Sequence, residues 1–282
     1  MTAKDESSEA TSRAWLITGA SSGLGRALAD AVLARGERAV VAARTAEALT
    51  ELETRYPGAA LASVLDVTEP EAVRAAVDRA VEQFGRIDVV VNSAGYGLFG
   101  ALEDLSDEEL RAAFDTNVFG SVNVMRAALR HMRRQRSGHI VQISSLEGIA
   151  PAVAGESAYA GTKFAVEGIA EGLAKDVEHL GIRVTIVEPG PLRTDFANGA
   201  RVTPPQSDDD AESVGVALEW FEELAGNQPN DPRGVAAAII AAIDADEPPL
   251  RLALGEEALQ AIREKLEAQR HELDAWADLV PR

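Results

Sequence analysis

Short apolar segments alternate with amphipathic segments along most of this chain, and this alternation constrains the fold more than any other feature. The segments Ala14–Thr18, Arg38–Ala43 and Ile87–Asn92 are apolar for several residues in succession. Strands of a parallel sheet carry such continuous apolar runs because helices cover both of their faces. Right-handed crossovers through the intervening helices would place those helices on both sides of the sheet. We therefore expect a single α/β domain with a doubly wound, mostly parallel sheet.

The order of predicted elements supports this architecture. The predicted strands are Ala14–Thr18, Arg38–Ala43, Leu61–Asp66, Ile87–Asn92, His139–Ser144, Ile182–Glu188 and Arg251–Leu254. The predicted helices are Gly23–Arg35, Ala46–Arg55, Glu69–Phe84, Ser106 to about Met132, Ser157–Leu180, a short one at Val214–Leu224, one beginning at Asp231-Pro232, and Glu256 to about Leu279. Ser106 and Glu109 have the spacing of a helix capping box.

The domain organisation follows from where the alternation of strands and helices begins and ends. Residues 1–13 are polar and mixed in charge, which predicts a disordered leader. The alternation predicts one domain over residues 14–254, with an insert at about residues 198–230 that covers a ligand, and a helical extension over residues 255–282.

Composition excludes several classes of function. The chain has no cysteine, so disulfides, thiolate metal sites and cysteine nucleophiles are excluded. Its net charge of −19 repels nucleic acids and anionic membranes. No apolar run approaches the roughly 20 residues that cross a bilayer. We expect a cytoplasmic protein without a nucleic-acid, membrane or metal partner.

The turn after the first strand has the character of a phosphate site. Thr18-Gly19-Ala20-Ser21-Ser22-Gly23-Leu24-Gly25 opens the first helix. Glycines allow the backbone to approach a ligand closely, and a helix N-terminus attracts negative charge. A dinucleotide pyrophosphate would fit there. The alternative is a tight strand-to-helix connection without a ligand.

A second enzyme class matches the same residues. Gly19-Ala20-Ser21-Ser22-Gly23 has the Gly-x-Ser-x-Gly pattern of the nucleophile elbow of serine hydrolases. Such an enzyme also needs an acid and a histidine. The chain has four histidines, at positions 131, 139, 179 and 271, and none has a sequence context that indicates a catalytic role.

The end of the second strand bears on the choice of cofactor. An acidic residue there would bind the ribose hydroxyls of NAD, whereas this chain has Ala42-Ala43-Arg44. An arginine suits the 2′-phosphate of NADP, so we expect NADP(H) in preference to NAD(H), the alternative being that Arg44 is a solvated loop charge. Asp66 ends the third predicted strand, where its carboxylate could meet the adenine amino group.

Tyr159 and Lys163 lie four residues apart on one predicted helix. Residues at this spacing share a helical face, so the ammonium group would favour the ionised form of the phenol and lower its pKa. The pair would then serve as a general acid and base near neutral pH. Taken alone, a tyrosine and a lysine at this spacing occur by chance on many surface helices.

Together these motifs resemble the short-chain dehydrogenase/reductase family, in its common single-domain form with a Rossmann-type fold, over about Ala14 to Phe196. The matching pieces are Thr18 to Gly25, Asp66-Val67, Asn92-Ser93-Ala94-Gly95, Asn117, Ile143-Ser144-Ser145, Tyr159-x-x-x-Lys163 and Pro189-Gly190-x-x-x-Thr194. The candidate cofactor contacts are Gly19, Ser21, Ser22, Gly23, Leu24, Gly25, Arg44, Asp66, Val67, Asn92, Ala94, Gly95, Tyr159, Lys163, Pro189, Gly190, Leu192 and Thr194.

The resemblance also implies catalytic roles. Tyr159 would be the acid and base, Lys163 would bind the nicotinamide ribose, Ser145 would orient the substrate oxygen, and Asn117 would hold a water in a proton relay. Ser145 lies fourteen positions before Tyr159, one more than the family pattern has. Either the intervening segment contains a bulge, or Ser144 has taken the role. We favour Ser145, because it aligns with the second serine of the family's pair.

The sequence thus predicts an oxidoreductase that interconverts a ketone or aldehyde and an alcohol by hydride transfer. Apolar side chains at Tyr96, Leu98, Phe99, Val153, Phe196 and the insert up to Phe221 would suit a hydrophobic substrate, or would only pack the insert to the body. The alternative from another class is a regulatory protein that senses NADP without chemistry. The resemblance further implies a homodimer or homotetramer, paired through the two long helices.

Overall fold

The computed structural model describes residues 12–279, and their main feature is a seven-stranded parallel sheet. The strands are β1 (Ala14–Thr18), β2 (Arg38–Ala43), β3 (Ala60–Val64), β4 (Val89–Asn92), β5 (Leu98–Phe99), β6 (Gly138–Ile143), β7 (Ile182–Pro189), β8 (Arg201–Val202) and β9 (Arg251–Leu254). The main sheet has the order β3-β2-β1-β4-β6-β7-β9, and every neighbouring pair in it is parallel. The predicted doubly wound sheet is confirmed.

Helices cover both faces of this sheet. The helices of the described residues are α1 (Gly23–Ala34), α2 (Glu47–Arg55), α3 (Pro70–Phe84), α4 (Asp107–Phe114), α5 (Ser121–Gln135), α6 (Ser157–Val177), α7 (Phe196–Gly199), α8 (Asp208–Asp210), α9 (Val216–Leu224), α10 (Pro232–Asp244) and α11 (Glu256–Ala275). Wider π turns occur at Asp115–Gly120 and Ala211–Gly215, and 3₁₀ turns at Leu146–Gly148, Glu178–Leu180 and Ala277–Leu279.

Two apolar cores result, one on each face of the sheet. Successive residues of a strand point to opposite faces. Leu16 of β1 accordingly packs in the cluster that contains Val73 of α3 and Val124 of α5, and Ile17 in the cluster that contains Leu28 of α1 and Ile239 of α10. All six are fully buried, which explains why the strands read as continuous apolar runs.

The sheet order fixes where a ligand can bind. The chain runs outward from β1 to β3 and then returns to the other side of β1 at β4. The crevice at the carboxyl ends of the strands beside such a reversal is the usual ligand site of doubly wound sheets.

Several local predictions differ from the structure. The third strand ends at Val64 instead of Asp66, because the Asp66 carboxylate accepts hydrogen bonds from the Thr68 backbone nitrogen at 2.9 Å and the Thr68 hydroxyl at 2.7 Å and so forms a turn. The long helix from Ser106 begins with the predicted capping box but is interrupted by the π turn Asp115–Gly120.

The short parallel pair β5 and β8 was not predicted, because two residues a strand leave no periodic pattern. The predicted leader, residues 1–13, lies outside the described residues except for Ser12 and Arg13. Between residues 12 and 279, no helix is both long and apolar enough to cross a bilayer.

Candidate active site

A cavity of about 780 Å³ opens at the carboxyl edge of the sheet, beside the reversal at β1. Its wall includes residues at the ends of five strands, namely Thr18, Ala43, Ser93, Ile143 and Pro189. The predicted glycine-rich turn and the predicted Tyr159–Lys163 pair line this one cavity. Residues far apart in sequence are therefore brought together around a space of ligand size.

The turn Gly19–Gly25 forms one end of the cavity wall through Gly19, Ser21, Ser22, Gly23, Leu24 and Gly25. Gly19 has a φ of +68°, and a Cβ there would lie 2.8 Å from the Ser93 carbonyl oxygen. A Cβ on Gly25 would lie 2.4 Å from the Gly19 carbonyl oxygen. No side-chain cap occupies the N-terminus of α1 at Ser22, so the first N–H groups of this helix remain available to an anion.

Arg44, Asp66 and Val67 form the neighbouring part of the wall, beyond β2 and β3. The Arg44 side chain is exposed and follows the small residues Ala42 and Ala43, which also line the cavity. The Thr68 backbone N–H and hydroxyl, with Arg44 nearby, lower the pKa of Asp66 despite its partial burial. A guanidinium group and an ionised carboxylate thus stand at the same rim.

Two of the predicted site residues lie beneath the wall instead of lining it. Asn92 is buried and donates to Gln142 Oε1 at 3.1 Å and to the Ser121 carbonyl oxygen at 3.3 Å. Asn117 is also buried; its side chain accepts from the Tyr96 nitrogen at 3.0 Å and donates to the Tyr96 carbonyl oxygen at 2.9 Å. The remaining predicted cofactor contacts, including Ala94, Gly95, Pro189, Gly190, Leu192 and Thr194, line the cavity.

Tyr159 and Lys163 of α6 line the cavity and are 6% and 8% exposed. The ammonium nitrogen of Lys163 lies 5.5 Å from the centroid of the Tyr159 ring. It donates a hydrogen bond to the Ile143 carbonyl oxygen at 3.2 Å, at the end of β6. The predicted helical pair is therefore present, and the sheet holds its lysine in place.

The pKa of Tyr159 is shifted in the direction opposite to the predicted one. Burial and the negative charges of Glu147 and Glu156 raise it, whereas the Ser145 hydroxyl acts to lower it. Burial also lowers the pKa of Lys163 to about 8, although Glu147 and Glu167 act to raise it. The positive charge of a lysine favours an ionised phenol, but desolvation and the two glutamates outweigh it here, and neither effect can be seen in the spacing of Tyr159 and Lys163.

The two adjacent serines at the end of β6 face different neighbours. The Ser145 hydroxyl donates to the Glu147 carboxylate and bears on the pKa of Tyr159. Ser144 Oγ is buried, and a Cβ on Gly148 would lie 2.6 Å from it and 2.9 Å from Glu167 Oε1. Both serines line the cavity, and Ser145 is the one whose hydroxyl acts on Tyr159.

Two glutamates in the cavity wall were not predicted. Glu147 lies in the 3₁₀ turn after Ser145, and Glu156 precedes α6, where it accepts from the backbone nitrogens of Ala152 and Val153 at 3.3 and 3.2 Å. Burial and the charge of Glu147 raise the pKa of Glu156 to about 7. The only feature of the sequence that could have indicated them is an acidic residue on either side of the short loop between Ser145 and Tyr159.

Aromatic side chains cover the other end of the cavity. Phe99 packs against Tyr159 and Phe221 with ring centroids 5.5 and 4.6 Å apart, and Phe196 lies 5.7 Å from Tyr159. Trp220 also lines the cavity, so the predicted insert supplies part of its wall. Tyr96 and Val153 line the cavity as well, whereas Leu98 is fully buried in a separate cluster behind it.

None of the four histidines lines the cavity that contains Ser21. His139 is buried and lies 2.9 Å from the Thr185 hydroxyl, and His131 pairs with Asp78 at the surface. Among the described residues, no group of three or more acidic or histidine side chains could hold a metal ion.

Comparison with known proteins identifies what the chain is similar to. The model of the short chain dehydrogenase family matches residues 13–204. The oxidoreductase BOA17 of Botryotinia fuckeliana is 38% identical over 266 residues, which cover 94% of this chain and 97% of that protein. A short-chain dehydrogenase structure from Streptomyces avermitilis is 42% identical with a TM-score of 0.88, and covers 96% of this chain and 98% of that one.

Two further solved structures contain a nicotinamide cofactor. ElxO with NADP bound is 26% identical with a TM-score of 0.73, over 89% of this chain and all of that one. A short-chain dehydrogenase/reductase of Burkholderia phymatum in complex with NAD is 25% identical with a TM-score of 0.80, over 92% of this chain and 95% of that one.

Proposed function

The chain belongs to the short-chain dehydrogenase family, and we propose that it is an NADP(H)-dependent oxidoreductase that interconverts a ketone or aldehyde and the corresponding alcohol. One observation carries this proposal. The buried phenol of Tyr159, the ammonium group of Lys163 and the glycine-rich turn at Gly19 all line the same cavity at the carboxyl edge of the sheet.

The residues present fit a dinucleotide. A Cβ at Gly19 or Gly25 would collide with backbone, so the turn has the close packing that lets the N-terminus of α1 face a pyrophosphate. In this proposal the turn and α1 hold the phosphates, Asp66 and Val67 hold the adenine, and Pro189, Gly190, Leu192 and Thr194 hold the nicotinamide end. When bound, the nicotinamide supplies or accepts the hydride.

The choice of NADP over NAD rests on Arg44. Solved structures similar to this chain contain either cofactor, so similarity alone does not decide between them. Arg44 lines the cavity beyond β2 and follows two alanines, where an acidic partner for the ribose hydroxyls would otherwise stand. A guanidinium group there favours a 2′-phosphate.

Tyr159 would transfer the proton. Its raised pKa keeps the phenol protonated at neutral pH, which suits donation to a carbonyl oxygen as hydride reaches the carbonyl carbon. Lys163 would place its positive charge beside the phenolate that remains, and would bind the nicotinamide ribose. Ser145 would hydrogen-bond the same substrate oxygen. The reverse reaction would oxidise an alcohol through the same groups.

The substrate class follows from the far wall of the cavity. Phe99, Phe196, Trp220 and Phe221 offer aromatic surface next to Tyr159, which supports a hydrophobic carbonyl compound or alcohol. A homodimer or homotetramer and a cytoplasmic location stay predictions. Exposed Phe119, between α4 and α5, and Phe164 on α6 lie on the long helices expected to pair, and sedimentation would test this.

Replacing Tyr159 with Phe tests the proposal. The wild type is screened against a panel of hydrophobic ketones and aldehydes by loss of NADPH absorbance, and NADPH affinity is measured for both proteins. The expected result is turnover by the wild type, a large loss in the variant, and similar NADPH affinity in both. Equal turnover would reject the role of Tyr159, and NADPH binding without turnover in the wild type would support a cofactor sensor instead.

A further inference from the structure

The hydrogen bond from Ser145 to Glu147 is the feature of this site that the proposed chemistry does not use. Both side chains line the cavity, and the Ser145 residue is only 8% exposed. A hydroxyl carries one hydrogen, so it can donate only one hydrogen bond at a time. While Ser145 donates to Glu147, it has no hydrogen left to donate to a substrate oxygen.

The protonation state of Glu147 reverses this bond. An ionised carboxylate only accepts hydrogen bonds, whereas a protonated carboxyl group also donates one. A protonated Glu147 can donate to Ser145 Oγ, and the Ser145 hydrogen is then free to turn toward the cavity. The same two residues therefore have two arrangements, of which one presents a donor to the substrate.

We propose that Glu147 is a positioning residue whose protonation decides whether the Ser145 hydroxyl donates to the carbonyl oxygen of the substrate. This inference rests on the proposed carbonyl reduction. In the productive arrangement Glu147 donates to Ser145, and Ser145 donates to the carbonyl oxygen. Tyr159 gives its proton to that oxygen as hydride reaches the carbon. Glu147 and Ser145 keep their own protons, so the proton lost by Tyr159 and the hydride account for the alcohol formed.

The surroundings of Glu147 favour its protonated form. Burial raises its pKa, and the bonds from Ser145 and its own backbone N–H, together with the charge of Lys163, oppose this shift without cancelling it. Other ionisable neighbours are Tyr159 and Glu156, on and before α6. Glu167 of α6 also faces this turn, at Gly148. Glu257, at the start of α11, is a further acidic residue of the cavity wall. The rest of the α11 face that packs on the turn after Ser145 is apolar, with Ala258 and Ile262 buried there.

The pH profile of ketone reduction tests the proposal. For the wild type, kcat/KM should fall with rising pH as Glu147 ionises and withdraws the Ser145 donor. The loss of one donor to a developing oxyanion is on the order of 10²-fold. Glu147→Gln has an uncharged amide whose N–H can donate to Ser145 at every pH, and Glu147→Ala has neither a donor nor an acceptor. Both variants should lack this fall, so the ratio of their kcat/KM values at low and high pH should stay near one.

A Ser145→Ala background separates the proposed route from a direct effect on Tyr159. Without the serine hydroxyl, this fall should be absent whether or not Glu147→Gln is also present. The inference is wrong if the variants at Glu147 keep the wild-type fall, or if their effect persists in the Ser145→Ala background. If the wild type reduces no carbonyl compound in the panel, the proposed function fails, and the inference fails with it.

Discussion

The ammonium group of Lys163 donates a hydrogen bond to the carbonyl oxygen of Ile143 at 3.2 Å, and this bond joins the N-terminal third of α6 to the end of β6. The lysine is 8% exposed, and burial lowers its pKa to about 8. Burying an ammonium group costs folding free energy, and packing alone does not require a charged side chain at this position. Sites of this kind are retained where chemistry needs a charge.

Lys163→Met should therefore remove turnover while leaving the fold as stable or more stable. Below pH 8 the lysine is protonated in the folded and unfolded states, and burial of its charge costs up to about 3 kcal/mol. As pH rises from about 8 to 10.5, the folded state loses this proton first, so the wild type gains stability relative to the variant. Urea unfolding at pH 7 and pH 10 measures the difference, with Lys175→Met, exposed on the same helix, as the control. A variant less stable than the wild type at pH 7 would contradict this account.

Asn117→Ala should lower stability by about 1–3 kcal/mol, because a buried side chain with several hydrogen bonds is removed. The Asn117 amide contacts the Tyr96 backbone through both of its polar atoms and donates to the Thr162 hydroxyl at 3.1 Å. Urea unfolding and ketone reduction are measured on the same preparations. Lost turnover with unchanged stability would instead support the proton-relay role that the family resemblance implies.

Gly25→Ala should destabilise the turn and weaken NADPH binding. The new methyl group would lie 2.4 Å from the Gly19 carbonyl oxygen, so backbone would have to move, at a cost of about 1–3 kcal/mol. Gly234→Ala is the matched control, since Gly234 is exposed in α10 and a Cβ there meets nothing within 4 Å. The control should be neutral or slightly stabilising, because alanine favours helices over glycine. Thermal unfolding with and without NADPH measures both effects, and equal behaviour of the two variants would argue against a close-packed cofactor turn.

The sheet could be predicted from the sequence because strands that are buried on both faces are continuous apolar runs. β1, β2 and β9 begin and end where the apolar runs predict, and the capping box at Ser106 forms as expected. The π turn around Asn117 could not be predicted from the sequence. The Asn117 side chain contacts Tyr96 and Thr162, and these contacts between separate segments exist only in the folded chain. Local signals predict elements, and contacts between distant segments modify them.

The site shows the same division. Most of the predicted cofactor contacts line the cavity and were indicated by motifs at strand ends, whereas the electrostatics around Tyr159 were not indicated by any motif. Glu147 and Glu156 lie on either side of a loop without periodicity, and nothing in their spacing indicates that they approach the phenol. A pKa depends on every charge and on the burial around a group, so the sign of its shift required the three-dimensional structure.

Arg44→Ala should weaken NADPH binding far more than NADH binding. A hydrogen bond to a charged group contributes about 1.5–3 kcal/mol, so the expected loss is on the order of 10- to 100-fold for NADPH. NADH lacks the 2′-phosphate and should bind the variant about as well as the wild type. Cofactor fluorescence titrations measure both affinities, with Arg55→Ala as a control because this arginine is exposed on α2 and lies outside the cavity wall. The binding should also lose part of its salt dependence, since screening acts on exposed charge pairs such as this one. Equal losses for the two cofactors would mean that Arg44 supports the rim of the cavity without reading the phosphate.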